Sequence, residues 1–148
     1  MVYHWDFLKE KDSSFGMFFP KHYVVVGFEN QERATTAVDR FREAGFAEDD
    51  VAAVSGTFMT QTLEAEPDTT LQKLKVAIAE MHGGTEHGYV DDDIKLARRG
   101  GAFAFVYTPD DASAERARQV LDGVDHVYAR RYLPMAIERY KYPSQSQI

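Results

Sequence analysis

The chain has no cysteine among its 148 residues. Disulfides, thiol catalysis, iron–sulfur clusters and cysteine-ligated zinc are therefore excluded. Long hydrophobic runs are missing as well: nothing approaches the ~20 consecutive apolar residues that a membrane span needs. The opening MVYHWDFLKEKDSS lacks the basic-then-apolar layout of a signal peptide. These absences lead to the expectation of a cytoplasmic protein with no membrane role. Positive charge is also in short supply. With 17 Lys and Arg against 24 Asp and Glu, the net charge is −7. That balance disfavours nucleic acid, whose phosphates call for a basic field.

What is present is an ordinary globular composition, 44% hydrophobic and 28% charged, in a chain long enough to bury one core without staples. Residues 1–21 hold Trp5, Phe7, Leu8, Phe15, Met17, Phe18 and Phe19. That is too aromatic for a solvated tail, so the segment is expected to dock on the domain or on a second subunit. Residues 136–148 read as a C-terminal tail, polar at its end.

Between these ends, residues 22–135 repeat one plan twice. HYVVVGF (22–28) is a β-branched strand. NQERATTAVDRFREAG (30–45) places Ala34, Ala37, Val38, Phe41 and Ala44 on one helical face, with Asn30 as its cap and Gly45 as its left-handed stop. DDVAAVSG (49–56) is a second strand. In the second half, GGAFAFVYT (100–108) is a strand and DDASAERARQVLDG (110–123) a helix with Ala114, Ala117, Val120 and Leu121 inward. HVYARRYLP (126–134) is the last strand, ended by Pro134. Two β-α-β halves fold most economically as an α+β, ferredoxin-like β-α-β-β-α-β antiparallel sheet with both helices on one face. The halves are separated by a helical insertion, 57–99. It predicts one helix from Thr69 to His82, with Leu71, Leu74, Ile78 and Met81 in a stripe, and a short one from Asp91 to Arg99.

The strand core Phe103-Ala104-Phe105-Val106 reads like the RNA-contacting strand of RRM domains, whose aromatics stack bases. Three features disagree. Gly101 stands where a basic residue is expected, Val24 occupies the matching aromatic position on the first strand, and the chain is acidic. Alternation puts Phe103, Phe105 and Tyr107 on one face, and Ala102, Ala104 and Val106 on the other. Both faces of the sheet are thus apolar, and one layer of helices covers only one of them. The insert helix, the aromatic N-terminal segment or the sheet of a second subunit must supply the other cover. Face-to-face packing in a homodimer is the first expectation, and a bound small molecule is the alternative.

YVVVGFENQERATTAVDRFREAGFAEDDVAAVSG resembles the opening of the bacterial general stress protein 17M-like family: strand, cap, alanine-rich helix, AGF stop, acidic pair, strand. GYVDDDIKLARRGGAFAFVYTPDDASAERARQVLDG is similar to that family's second half. The resemblance implies a small ferredoxin-like α/β domain in a stress-related bacterial protein, with no catalytic residues to carry over. Where many relatives have a glycine- and alanine-rich stretch between the halves, this chain has a polar, amphipathic segment.

The residues that could carry chemistry are few. His82, His87 and Asp91, within EMHGGTEHGYVDDD, are the candidate metal ligands, since imidazole and carboxylate suit zinc, manganese or iron. The five-residue histidine spacing is not that of H-E-x-x-H. Glycine stops at Gly83 and Gly84, and helix capping by Asp91–Asp93, explain the same residues. Arg98, Arg99, Arg130, Arg131 and Arg139 either gather into an anion site or pair with the acidic residues. Ligand or interface candidates are Tyr23, Phe103, Phe105 and Tyr107 on the aromatic face, together with Arg99 and Arg131.

The resulting expectation is a stress-associated protein with no cofactor and no enzyme active site. It acts through protein–protein contacts, as a homodimer, without binding nucleic acid or membrane. One alternative is a sensor of a small anionic metabolite, related in architecture to ACT-type modules. Another is a dimeric α+β-barrel enzyme using Tyr107, Tyr23, His126 or Arg131.

Overall fold

A computed structural model of the protein describes residues 9, 20–64, 85–134 and 136–143. Five antiparallel strands form one open sheet in the order β2-β3-β1-β4-β5. They are β1 (Tyr23–Phe28), β2 (Val51–Ser55), β3 (Ala102–Tyr107), β4 (Tyr128–Leu133) and β5 (Ala136–Lys141). Four α-helices lie among the described residues: α1 (Gln31–Glu43), α2 (Gly56–Glu64), α3 (Thr85–Arg98) and α4 (Asp111–Asp122).

The central strand β1 is buried along its whole length, as a β-branched run with helices on both sides should be. It pairs with β3 from Tyr23 opposite Tyr107 to Phe28 opposite Ala102. On its other side it pairs with β4, Val25 opposite Arg130.

α1 begins where expected, with the Asn30 side chain accepting from the Arg33 amide at 2.9 Å. Its Ala34, Ala37, Val38 and Phe41 are buried, whereas Ala44 is exposed at the C-cap, and Gly45 takes a φ of 105°. α4 opens with a capping box in which Asp110 and Ser113 satisfy each other's backbone amides. Both helices pack on one face of the sheet, where Val24, Val26, Phe28, Ala102, Ala104, Val106 and Ala129 meet Phe41, Ala117 and Leu121.

The opposite face is where structure and sequence reading part. Its cover is the chain's own insert rather than a second subunit. Met59 of α2 and Leu96 of α3 pack on Val25, Phe103, Phe105, Tyr128 and Tyr132. Fully covering Phe103 and Phe105 contributes roughly 1.5–3 kcal/mol of transfer free energy each. The described residues thus form three layers, helix pair, sheet and helix pair, with the aromatic face inside.

Three local differences follow. Gly56, read as the end of a strand, and 57–64, read as part of the insertion, form helix α2, started by the Ser55 hydroxyl accepting from the Phe58 amide at 3.1 Å. α3 begins at Thr85, not near Asp91, so Asp91–Asp93 lie inside it and cap nothing. Ala136–Lys141, within the segment read as a tail, form β5, which turns back at Pro134 and pairs with β4. The helix expected over 69–82 and most of the aromatic N-terminal segment lie outside the described residues.

Two contacts seat the insert. A Cβ on Gly27 would stand 2.6 Å from Leu96 Cδ2 and 2.8 Å from Tyr128 Cζ, so β1 is bare where α3 presses on it. A Cβ on Gly56 would meet the Gly101 carbonyl at 2.4 Å and the Ala97 carbonyl at 3.0 Å. The start of α2 therefore lies backbone to backbone against the end of α3.

Candidate functional site

Beneath the amino-terminal half of α3 lies a polar cluster in an otherwise apolar layer. Tyr128, Arg130 and Tyr132 alternate along β4, so all three side chains face the insert. Tyr89, Asp93 and Leu96 recur at helical spacing, so α3 turns them toward the sheet. Arg130 and Asp93 are both fully buried and form an ion pair through Arg130 Nη2 and Asp93 Oδ2. The Tyr128 hydroxyl donates to the other carboxylate oxygen, Oδ1. Arg130 Nε donates to the Tyr132 hydroxyl at 2.8 Å.

The guanidinium is also caged by rings. Its centre lies 5.2 Å from the Tyr89 ring centroid, 5.3 Å from that of Tyr128 and 5.5 Å from that of Tyr132. Ring faces attract a cation most when both are desolvated, which is the situation of the one nitrogen, Nη1, that lacks a hydrogen-bond partner among the described residues. Tyr142, just past β5, closes the outer side. Its hydroxyl donates to Asp92 Oδ2 at 2.7 Å, and its ring stacks on Tyr128 at 5.1 Å.

Burial pushes Asp93 above the usual carboxylate range, against the opposing pull of Arg130 and of the hydrogen bonds it accepts. Burial, the largest influence, would lower Arg130, but the Asp93 charge together with Tyr132, Tyr128 and Tyr142 outweighs it and holds the guanidinium well above its ordinary value. Tyr132 is pushed up to about 12 by burial. Tyr128 is raised well above its ordinary value by burial and by the neighbouring carboxylate. These tyrosines stay protonated and Arg130 stays charged near neutral pH. Taking each ion out of water costs several kcal/mol, which a good pair roughly offsets, so such a cluster contributes more to geometry than to net stability. Here it fixes the register of α3 on β4.

The sequence candidates are dispersed. Phe103 and Phe105 are fully covered and offer no platform for a base or ligand. Tyr23 is buried, its hydroxyl accepting from the Lys9 amide at 2.9 Å. The Lys9 ammonium sits 5.6 Å from the Tyr107 ring centroid and pairs with Asp50, so the N-terminal segment does reach the domain at that residue. Arg99 is exposed just after α3. Arg131 points to the face opposite Arg130, donating to the Thr108 hydroxyl at 3.0 Å and the Thr108 carbonyl at 2.9 Å. The arginines therefore do not converge on one anion site. Asp91 is exposed while Asp92 and Asp93 are buried. His87 belongs to α3, and His82 lies outside the described residues. Among the described residues no group of three or more His, Asp or Glu side chains could hold a metal ion.

His126 Nδ1 lies 2.7 Å from the Val124 carbonyl, and burial lowers its pKa. It borders an open groove of about 430 Å³ with Arg118, Tyr140 and Lys141 on its other walls.

Sequence reasoning missed the Arg130 cluster, though signals were there. In YARRY, period two isolates an arginine between two tyrosines on a buried face. In YVDDDIKL, Asp93 stands between Tyr89 and Leu96 at core spacing. Comparison with family models, curated proteins and solved structures finds no match to this chain.

Proposed function

We propose that the protein is a non-enzymatic, stress-associated cytoplasmic protein that acts through protein contacts, as a homodimer, on a ferredoxin-like frame. The frame is supported by the succession of β1 to β4, which follow one another as β-α-β-β-α-β and lie in the order β4-β1-β3-β2, with β5 added beside β4. The stress setting rests on the resemblance to the general stress protein 17M-like family.

The observation that carries the reading is the internal pairing of the strongest polar groups. Arg130, Asp93, Tyr128 and Tyr132 hydrogen-bond to one another beneath α3, so their chemistry goes into holding the insert helix in place. A protein organised in this way offers shaped, ordered surfaces. Light scattering should give twice the chain mass, and a panel of nucleotides and organic phosphates should leave the melting temperature unchanged. A monomer at every concentration would sink the homodimer.

The second reading, sensing of a small anion, is favoured by the groove beside His126, where Arg118 and Lys141 stand on the same walls. A melting-temperature rise with one phosphate compound, abolished by Lys141→Ala, would establish it.

A further inference from the structure

The end of α4 reverses the usual charge pattern of a helix. Basic side chains ordinarily stand over the last carbonyls, where the helix dipole is negative. The last turn of α4 holds no basic residue, and Asp122 closes the helix instead. A carboxylate added to the negative end of a helix makes a place for a cation. Asp125, in the turn that follows, is drawn to Arg33 of α1 at 3.0 Å. Asp122 is exposed and lines the groove of about 430 Å³ beside β5.

His126 brings an acceptor to the same groove. Its Nδ1 lies 2.7 Å from the Val124 carbonyl, which can only accept. The ring proton therefore sits on Nδ1, and Nε2 keeps its lone pair. Burial favours this neutral ring.

Two cations line the groove as well, and both are held in place. Lys141 Nζ donates to the His126 carbonyl at 2.8 Å, which uses one of its three donors. The Arg118 guanidinium lies 4.8 Å from the Tyr140 ring centroid and 3.7 Å from Glu138 Oε1. It is turned to β5 although Asp122 stands one helical turn on. A simple anion would be repelled by Asp122 and the helix end, and a simple cation by Lys141 and Arg118. A molecule with both charges a few bonds apart suits both sets. Leu121, Val124 and Tyr140 add apolar lining for a side chain, and the volume is that of a small-molecule site.

We infer that this groove binds a free α-amino acid with a small apolar side chain, its ammonium on Asp122 and His126 and its carboxylate on Lys141 and Arg118. This rests on the second reading above and narrows it from an anion to a zwitterion.

The test compares four ligands by melting temperature across the millimolar range. They are L-valine, isovalerate (valine without its amino group), isobutylamine (valine without its carboxyl group) and inorganic phosphate. L-Valine should give a saturable rise, and the single-charge analogues none. Asp122→Asn and Lys141→Ala should each weaken the response to L-valine about tenfold or more, the usual loss of a hydrogen bond to a charged group. A rise with isovalerate or phosphate equal to that with L-valine, and kept in Asp122→Asn, would overturn the amino acid while leaving the anion reading intact. An equal rise with isobutylamine would make this a cation site and overturn both. No response to L-valine also overturns the proposal. A phosphate response lost in Lys141→Ala would then keep the anion reading alone. The four-ligand comparison needs only the native chain, so a misfolded variant leaves the test standing.

Discussion

Removing the Arg130 guanidinium would leave the Asp93 carboxylate in a dry site with only tyrosine hydroxyls for company. Arg130→Met is therefore expected to destabilise the fold by about 3–5 kcal/mol, the usual cost of breaking a buried pair from one side. Asp93→Leu together with Arg130→Met should recover most of that loss, because an apolar pair of similar volume has no desolvation cost to meet. Chemical denaturation of the two single variants and the double variant checks this. Near-additive losses would mean that the two residues do not act as a pair.

At the same scale, His126 gives stability a pH dependence of known sign. Its folded pKa lies below the ordinary 6.5 because burial disfavours the charged ring. Above pH 6.5 both folded and unfolded chains carry it neutral, and its contribution is fully present. As pH falls through 6.5, the unfolded chain takes up the proton first, and that contribution is lost on the way down to the folded pKa. His126→Gln should flatten the part of the melting-temperature profile that falls between neutrality and mild acid. An unchanged profile would locate the titration elsewhere.

Among the elements, the insert helices depend on two places without side chains. In Gly56→Ala the new methyl would meet two backbone carbonyls, at Gly101 and Ala97, and neither can swing away as a side-chain tip can. α2 must then move off α3, at a cost of about 1–3 kcal/mol by analogy with overpacked cores. Hydrogen exchange should show protection lost in α2 and α3 while α1 and α4 keep theirs. Uniform loss across all four helices would mean that the insert does not open as a unit. The two helix pairs differ for a physical reason: α1 and α4 are seated by alanines, aliphatics and Phe41, whereas α3 is seated by an ion pair, tyrosine hydroxyls and a glycine contact.

In the whole molecule, one sheet serves as the inner wall of both helical layers. Loss of packing on one side is therefore felt on the other. Leu96, fully buried between α3 and the bare stretch of β1 at Gly27, is the test position. Leu96→Ala should cost about 2–5 kcal/mol. Its thermal unfolding should remain a single transition with the aromatic and backbone signals coincident. Separate transitions would mean that the insert layer melts independently of the sheet.

Local pattern alone determined most of the frame. The β-branched run at β1, the Asn30 and Asp110 caps, and the period-two split of β3 into an aromatic and a small-residue face are all decided within a few residues, where propensity and alternation act. The sequence also showed that both sheet faces must be covered. Tertiary structure decided what covers the second face, because α2 and α3 are far in the chain from Val25 and Tyr132 on which they pack, and any apolar stripe satisfies the pattern equally well. It also decided that Arg130 turns to the insert face and Arg131 to the opposite face of the sheet, both buried. Both are arginines in the middle of a strand, and only the position of Asp93 on a helix packed above β4 gives Arg130 a buried carboxylate, while Arg131 donates to the buried Thr108.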